Sequence, residues 1–262
     1  MYISNLSFNT LNKKKLRKSY GRNNQGKITV RYRKKGHKKL NRFLNNQNQF
    51  NTDKIIISID YDPNRNVFLA NTFSKSQNKF CKEYILSSNK MNVLQMFKSK
   101  TNQTKLDLNN FHTEAKNLSI GDIISNIEVI PGKGAVFAKS AGCFGQVVKL
   151  SDTKQGLIQI RLPSKEQYYI FKNATVMKGR MSNLLHKQLK KWKAGTSHYL
   201  GVNSKVRGVA KNPIDHPHGG GEGKGYIGRP PVTPQGKLTK GVPTRKNKKN
   251  SFFVALSRKK LK

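Results

Sequence analysis

The stretch "DKIIISIDYDPNRNVFLANTF", residues 53–73, decides the fold class of this chain. It contains two runs of mainly β-branched, aliphatic and aromatic residues, separated by the tripeptide Asp62-Pro63-Asn64. Such runs favour strands, whereas Asp, Pro and Asn favour the turn between two strands. The stretch therefore predicts an antiparallel β-hairpin.

Further short strands are predicted beyond this hairpin. The first is at 79–87, and a second group follows at 122–130, 145–150, 157–162 and 167–171. Short strands at this spacing, joined by turns with Gly, Pro or Ser, are typical of small barrels or sandwiches. Within the second group, "PGKGAVFAKSAG" (131–142) is rich in Gly and Lys and predicts a long, exposed, cationic binding loop.

One helix is predicted, at "SNLLHKQLKKWKAG" (182–195). Leu184, Leu185 and Leu189 fall on one face of such a helix, and Ser182 is a candidate N-cap. The chain beyond it is punctuated by Gly and Pro and has almost no apolar pattern, which predicts an extended arm.

The charge of the chain is its dominant feature. It has 52 Lys and Arg against 12 Asp and Glu, a formal net charge of +40, with only 35% hydrophobic residues. Residues 1–52 contain 14 Lys and Arg and no acid, and residues 223–262 contain 12 and again no acid. Because such self-repulsion opposes folding, a polyanion is expected in the working state. Within the first arm, "KITVRYRKKGHKK" (27–39) alternates apolar and basic residues and predicts a short extended segment with a cationic face.

Several classes of site and of protein lack the residues that they need. Cys81 and Cys143 are the only cysteines and form no CxxC pair, so neither a disulfide framework nor a cysteine zinc site is indicated. The longest aliphatic run, 55–59, is far shorter than the roughly 18 apolar residues of a membrane-spanning helix. A membrane partner is therefore not expected.

The segment "NPIDHPHGGGEGKGYIGRPPVTPQG", residues 212–236, leaves more than one chemistry open. His216 and His218 could bind a metal together with Asp215 or Glu222, although a further ligand has no clear source and the cationic surroundings oppose a divalent ion. Each histidine could also be an ordinary hydrogen-bonding side chain in a turn.

Two catalytic or nucleotide-binding alternatives for this segment have weaker support. Residues 223–228 match G-x-G-x-x-G, but Pro230 and Pro231 follow where that motif needs a helix. Ser204 and Cys143 have no motif context that would make either one a nucleophile. The remaining alternative is a glycine tract that lets the backbone approach a sugar–phosphate chain, with imidazoles donating to phosphate, ribose or base edges. The basic arms favour it.

Several stretches together resemble one family, the universal second protein of the large ribosomal subunit. The similar stretches follow the family's order, and they are "GRNNQGKITVRYRKKGHKK" (21–39), "DYDPNRN" (60–66), "PGKGAVFAKSAG" (131–142), "KVRGVAKNPIDHPHGGGEGKG" (205–225), "PVTPQGKLTKG" (231–241) and "TRKNKKNSFFV" (244–254). The chain departs from the family at Lys34 and Lys35, where a glycine run is usual. It departs again at His198-Tyr199, where the family has Arg-Trp, and at Gln235, where it has Trp.

The resemblance implies a mainly β fold, in which an OB-fold barrel is followed by an SH3-like barrel. The expected parts are a basic N-terminal arm (1–52), an OB-fold RNA-binding domain (53–118), an SH3-like barrel (119–194) and a basic C-terminal extension (195–262). Residues 74–118 carry little of the resemblance.

The resemblance also implies a function without catalysis by the protein. The chain is expected to be a structural constituent of the large ribosomal subunit that binds its rRNA and supports assembly and the architecture around the peptidyl transferase centre. Expected partners are large-subunit rRNA, neighbouring ribosomal proteins and the small subunit, with no cofactor beyond magnesium bound to rRNA. The alternatives are a free-standing nucleic-acid-binding protein and a metal-dependent enzyme that uses His216 and His218.

The site residues carried over from the resemblance form two sets. The expected rRNA-binding residues are Arg22, Asn23, Asn24, Lys27, Arg31, Arg33, His37, Lys38, Lys39, Arg65, Lys133, Lys139, Lys205, Arg207, Lys211, Lys224, Arg229, Lys237, Lys240, Arg245, Lys246 and Lys248. The residues expected near the peptidyl transferase centre are His216, His218, Gly219, Gly220 and Gly221. A bias toward Asn, Lys, Ile, Phe and Tyr, as in AT-rich organelle genes, favours a mitochondrial ribosome, with a plastid or bacterial cytoplasm as alternatives.

Overall fold

The structure is a computed structural model of the chain. It describes residues 13–15, 19–44, 52–76, 79–99, 112–150, 156–223, 227–242 and 253–257. None of the helices in these ranges is long and apolar enough to cross a bilayer.

The described residues form a mainly β architecture, as the sequence predicts. The strands, in chain order, are β1 (Lys13–Lys15), β2 (Leu40–Arg42), β3 (Thr52–Asp60), β4 (Leu69–Ser76), β5 (Lys79–Leu86), β6 (Met96–Ser99), β7 (His112–Glu114), β8 (Ile123–Ser125), β9 (Ile127–Glu128), β10 (Ala135–Phe137), β11 (Gly145–Leu150), β12 (Leu157–Arg161), β13 (Gln167–Phe171), β14 (Thr175–Lys178) and β15 (Val254–Leu256). Eleven of them form one sheet in the order β15-β13-β12-β11-β8-β14-β7-β6-β3-β4-β5. The pairs β1–β2 and β9–β10 form two small separate sheets.

The hairpin predicted at 53–73 is confirmed as the antiparallel pair β3–β4. Asp62 is fully buried in the connection, and its Oδ1 accepts a hydrogen bond of 2.9 Å from the backbone N–H of Asn64. Its Oδ2 pairs with the guanidinium of Arg65. The turn is therefore set by the short acidic side chain, as expected for Asp at the start of a turn.

The other predicted strands are also present. The strand predicted at 79–87 is β5, which pairs antiparallel with β4 from end to end. The second group appears as β8, β9, β11, β12 and β13. Residues 131–142 are not a loop throughout, because β10 forms within them and pairs with β9. The backbone N–H of Gly134 donates a 2.8 Å hydrogen bond to the buried Glu128 and keeps this hairpin closed.

Two hydrophobic cores lie along the large sheet, as two consecutive barrels require. The first is built mainly from β3 to β6, and the second mainly from β8 and β11 to β13. Strand β14 contributes to both, since Val176 packs in the second core and the adjacent Met177 in the first. Neighbouring residues of a strand point to opposite faces, so one strand can serve two cores.

The prediction of one helix over residues 182–195 is wrong. A 3-10 helix, Leu184–Gln188, and a separate α-helix, α1 (Ala194–Tyr199), form instead. Leu184, Leu185 and Leu189 are 42%, 64% and 68% exposed, so no apolar surface receives the face that they would form. An amphipathic helix is stabilised mainly by packing of that face, which is missing here.

The predicted N-cap also has another role. The hydroxyl of Ser182 accepts a hydrogen bond of 3.1 Å from the backbone N–H of Phe68. Asn183, in the left-handed region at φ 61°, precedes the 3-10 helix without a side-chain capping bond. The serine therefore binds a neighbouring segment and starts no long helix.

The described residues fall into two compact units. Those within 17–38 and 191–249 form one, called here the turn unit, and the remaining described residues form the other, called the β unit. Both cores and all strands β1 to β15 belong to the β unit. The four-part division drawn from the sequence stays a prediction.

The turn unit is joined by backbone hydrogen bonds between segments distant in sequence. Lys34 N–H donates to Gly201 C=O at 3.0 Å, and His37 N–H donates to Tyr199 C=O at 2.9 Å. A Cβ at Gly36 would lie 2.6 Å from the Tyr199 carbonyl oxygen, so only glycine permits this approach. The N-terminal basic segment therefore folds against the beginning of the C-terminal one.

The prediction of an extended segment at 27–39 is wrong, because the backbone turns within it. The Gly21 carbonyl accepts hydrogen bonds from the N–H groups of Thr29 and Val30, at 2.8 and 3.0 Å, and Tyr32 lies in the left-handed region at φ 68°. The alternation of apolar and basic residues predicted an extended backbone, but these hydrogen bonds and the left-handed residue bend it. The segment instead turns back on itself.

Candidate nucleic-acid interface

The histidines and glycines form one compact turn, called here the His–Gly turn and comprising residues 211–221. Its first half is a helical type of turn, in which the N–H groups of Asp215 and His216 both donate to the Asn212 carbonyl, at 3.0 and 3.3 Å. Gly219 N–H then donates to the His216 carbonyl at 2.8 Å, and Gly220 N–H to the Lys211 carbonyl at 3.2 Å. Four backbone hydrogen bonds within the turn therefore hold it closed.

Both imidazoles in this turn accept hydrogen bonds from backbone amides. Nδ1 of His216 accepts from the N–H of His218 at 3.0 Å, and Nε2 of His218 accepts from the N–H of Val232 at 3.0 Å. A ring nitrogen that accepts carries no proton. Nδ1 of His216 and Nε2 of His218 are therefore the acceptor atoms of the pair, and the two ring centroids lie 4.5 Å apart.

The electrostatics of the turn favour the neutral form of His216. The side chain is buried, and this burial lowers its pKa; coulombic repulsion from His218 and Lys211 lowers the pKa further. Gly208 lies so close that a Cβ there would be 2.6 Å from Nδ1 of His216. The imidazole is therefore enclosed, and its main contact is with the protein's own backbone.

The three glycines of the turn are required for different reasons. A Cβ at Gly219 would lie 2.5 Å from the Asn212 carbonyl carbon, and one at Gly220 would lie 2.9 Å from Cγ of Pro213. Gly220 and Gly221 also have φ of +90° and +86°, and the space beside Gly221 is open. The first two glycines are explained by the turn itself, whereas close approach of RNA stays a prediction for all three.

Part of the ligand capacity of the two histidines is taken up by the backbone. Across the described ranges, no group of three or more His, Cys, Asp or Glu side chains is placed to bind a metal ion. In addition, two of the four ring nitrogens of His216 and His218 already accept backbone hydrogen bonds. The turn is built as a braced surface loop.

Most residues of the predicted rRNA-binding set are exposed. The exposed ones are Arg22, Asn24, Lys27, Arg31, Arg33, His37, Lys38, Lys133, Lys139, Lys205, Arg207, Arg229, Lys237 and Lys240. Asn23, Lys39, Arg65 and Lys211 are half-buried. Lys224, Arg245, Lys246 and Lys248 lie outside the described residues.

Some of these side chains also shape the protein. The amide oxygen of Asn23 accepts hydrogen bonds from the N–H groups of Gln25 and Lys27, at 3.0 and 2.9 Å, and Arg22 donates to the Gly26 carbonyl at 2.8 Å. These contacts close a turn that presents Lys27 at the surface. Its tip is therefore fixed before any ligand binds.

A second pair of basic side chains is likewise committed to the protein's own carbonyls. Lys139 Nζ donates to the Ala135 carbonyl at 2.8 Å, and Arg229 donates to the Pro217 carbonyl at 2.7 Å. Since Pro217 lies between the two histidines, Arg229 fixes the second half of the His–Gly turn. Its contribution to an RNA contact would come from its remaining guanidinium N–H groups.

The family of the chain follows from comparison with known proteins. A family model described as "Ribosomal Proteins L2, RNA binding N-terminal domain" matches residues 9–99, and one described as "Ribosomal Proteins L2, C-terminal domain" matches residues 111–236. The chain belongs to the ribosomal protein L2 family. The matches include the cationic 22–39 segment, both cores and the His–Gly turn.

Individual L2 relatives match over nearly the whole chain. The large ribosomal subunit protein uL2 of Orientia tsutsugamushi is 41% identical over 94% of this chain and 87% of its own length. The uL2 of Mycoplasmoides gallisepticum is 39% identical over 95% and 87%, respectively. The large ribosomal subunit protein uL2m of Reclinomonas americana is 40% identical over 93% and 86%.

The structure of this L2 chain also reveals candidate contact residues that the sequence analysis missed. Trp192 is 86% exposed and Tyr199 is 70% exposed, both in the turn unit. Exposed aromatic faces beside cations suit stacking of unpaired bases. The sequence could have indicated Trp192 as a stacking residue, because this single tryptophan lies in a run of lysines at 190–193.

Proposed function

We propose that this L2-family chain is a structural constituent of the large ribosomal subunit that binds large-subunit rRNA during translation. The observation that carries the proposal is the match of the RNA-binding N-terminal family model to residues 9–99. In that range the segment 22–38 has no acid, and its basic side chains are exposed on closed turns. A cationic surface of this kind binds phosphates independently of sequence.

The proposal assigns no reaction to the protein. The L2 family is a structural one, and each histidine of the His–Gly turn has one ring nitrogen that accepts a hydrogen bond from the protein's own backbone. As the resemblance implies, this turn would lie near the peptidyl transferase centre, and peptide-bond formation would be carried out by RNA. The turn would then present a shaped backbone to rRNA. The protein would need no cofactor of its own, and magnesium would be bound to the rRNA.

The partners and the compartment follow from the same proposal. Ribosomal proteins that neighbour this chain in the large subunit, and the small subunit at the interface, are its further partners. We assign the chain to a mitochondrial ribosome, supported by the similarity to uL2m of Reclinomonas americana and by the composition. Matches of equal strength to bacterial uL2 proteins make a bacterial ribosome one alternative. A plastid ribosome is the other.

Cosedimentation tests the proposal. Extracts of source cells and of purified organelles are separated on sucrose gradients at moderate salt, and the chain is followed by immunoblot. The expected result is comigration with large subunits and whole ribosomes, in the organelle fraction for the mitochondrial assignment. The proposal fails if the chain migrates as free protein while other large-subunit proteins remain with the particles.

A further inference from the structure

The N-terminal part of the turn unit contains a cavity that the rRNA-binding role does not by itself explain. Its volume is about 620 Å³, within the range of small-ligand sites. The apolar part of its lining comes from Tyr20, Ile28, Val30 and Tyr32. Ile28 and Val30, both lining residues, keep 57% and 51% of their surface exposed.

Basic side chains supply the rest of the lining. They are Arg22, Arg31, Arg33, Lys34 and Lys35, and the sequence contains no acid before Asp53 to neutralise them. Five like charges around an apolar cavity repel one another, which favours an occupant that brings negative charge. An occupant that fits must be apolar in one part and anionic close by.

The backbone around the cavity is fixed in an uncommon conformation. Tyr20 and Tyr32 both have positive φ, at 50° and 68°, which is rare for aromatic residues. The Gly21 carbonyl accepts from the N–H groups of Thr29 and Val30 and closes the loop between them. Strained residues of this kind concentrate at ligand clamps. The rings are thus positioned by the fold.

We propose that this cavity binds one unpaired nucleotide of rRNA, with its base against Tyr20, Ile28, Val30 and Tyr32 and its flanking phosphates on the basic lining. An unpaired nucleotide has a flat apolar face beside an anionic backbone, which matches both parts of the lining. The inference rests on the proposed function and adds to it a single-nucleotide subsite. A protein side chain in the cavity would bring an apolar group without the phosphates.

The test compares two single-stranded probes of equal charge. Full-length protein is titrated with a uridine decamer and with a decamer of the same sugar–phosphate backbone that lacks every base. The expected result is tighter binding of the decamer with bases by at least roughly tenfold, since one stacked base alone contributes about that much. Equal affinities for the two probes overturn the subsite.

Matched variants locate the base. Val30→Asp places a carboxylate in the cavity and is expected to lower the ratio of the two affinities at least threefold, whereas Val30→Ile preserves it. Val242→Asp, at a 54% exposed position of the same unit, makes the same substitution outside the cavity and is expected to leave the ratio unchanged. If Val30→Asp keeps the wild-type ratio, the base binds elsewhere and the proposal is wrong.

Crosslinking gives an independent readout. A decamer with 4-thiouridine, irradiated in complex with the full chain, is expected to attach at Tyr20 or Tyr32. Attachment confined to other sites overturns the subsite. The cosedimentation experiment tests the proposed function separately. A chain outside the ribosome would not cosediment with large subunits, whichever decamer it binds more tightly.

Discussion

The β unit and the turn unit fold by different means. The β unit has two hydrophobic cores, with residues such as Ile56 and Ile160 fully buried. The turn unit consists mostly of closed backbone turns, with glycines such as Gly36 and Gly219 where two segments meet. Among its described residues, Val232 is the main buried hydrophobic one. Apolar burial alone can stabilise the first, while the charge of the second favours folding together with an anionic partner.

The largest expected effect is a core substitution in the β unit. Ile160→Ala removes fully buried methylene and methyl groups and is expected to lower the free energy of unfolding by about 2–5 kcal/mol. Ile120→Ala, at a position 66% exposed, is the control and is expected to change it by less than about 0.5 kcal/mol. Denaturant titration of the full chain measures both. Equal effects would mean that the second core is not the source of stability.

Substitutions in the His–Gly turn are expected to act on assembly. Gly219→Ala places a Cβ against the Asn212 backbone, whereas Gly221→Ala meets only its own positive φ. We expect roughly 1–3 kcal/mol from strain at the left-handed Gly221, and a larger loss at Gly219. Incorporation into large subunits, measured by quantitative mass spectrometry, should fall more for Gly219→Ala. The reverse order would contradict the geometry of the turn.

Gly220→Val tests the same turn against a histidine substitution. The larger side chain meets Pro213 at a backbone φ of +90°, while His218→Gln keeps a polar acceptor. Subunit assembly should be impaired more by Gly220→Val, and assembled His218→Gln particles should still form peptide bonds in a puromycin assay. If fully assembled His218→Gln particles cannot form peptide bonds, the His218 imidazole has a direct role in that reaction and this prediction is wrong.

A smaller loss of stability is expected when His216 or His218 is replaced by an amide side chain whose oxygen cannot reach the backbone N–H that the imidazole binds. Asn carries its oxygen near the position of Nδ1, and Gln carries it near that of Nε2, so His216→Asn and His218→Gln preserve the two backbone bonds. His216→Gln and His218→Asn should lose them, at about 1 kcal/mol each. Amide hydrogen exchange at residues 218 and 232 measures the loss directly. Equal protection in all four variants would refute the bracing role.

The most local effect, confined to a single ring, is a pH dependence in the β unit. Burial lowers the pKa of His112 from 6.5 to about 4, and the nearby charge of Lys54 contributes. The unfolded chain therefore takes up this proton at higher pH than the folded one. The stability from the neutral ring is complete above pH 6.5 and is lost as the pH falls toward about 4. An NMR titration of the His112 ring with its midpoint near 6.5 would contradict this.

The sequence predicted those parts of the fold that depend on neighbouring residues. The β3–β4 hairpin follows from two β-branched runs and the Asp62 turn, all within a short span. The helix at 182–195 failed because its leucine pattern indicated a buried face, and no core receives it. Strand β14 could not be assigned to two cores from its sequence, since the partners of Val176 and Met177 are set by the whole sheet.

The candidate site was predicted in composition but not in geometry. The basic residues and the histidine and glycine motif are visible in the sequence, and so is the family resemblance. The contact of Gly36 with Tyr199 joins segments that are far apart in sequence, and no apolar pattern in either segment predicts it. The acceptor roles of His216 and His218 depend on where the backbone N–H groups of the turn point, which residue types alone do not specify.

The salt dependence of rRNA binding shows whether the basic side chains of this chain bind phosphates. The full chain is titrated with large-subunit rRNA of the source compartment at several monovalent salt concentrations, and the association constant is plotted against salt on logarithmic axes. A structural rRNA-binding protein with this distribution of charge should give a steep negative slope, about −0.9 for each duplex phosphate neutralised. A slope near zero would contradict phosphate binding by the basic side chains.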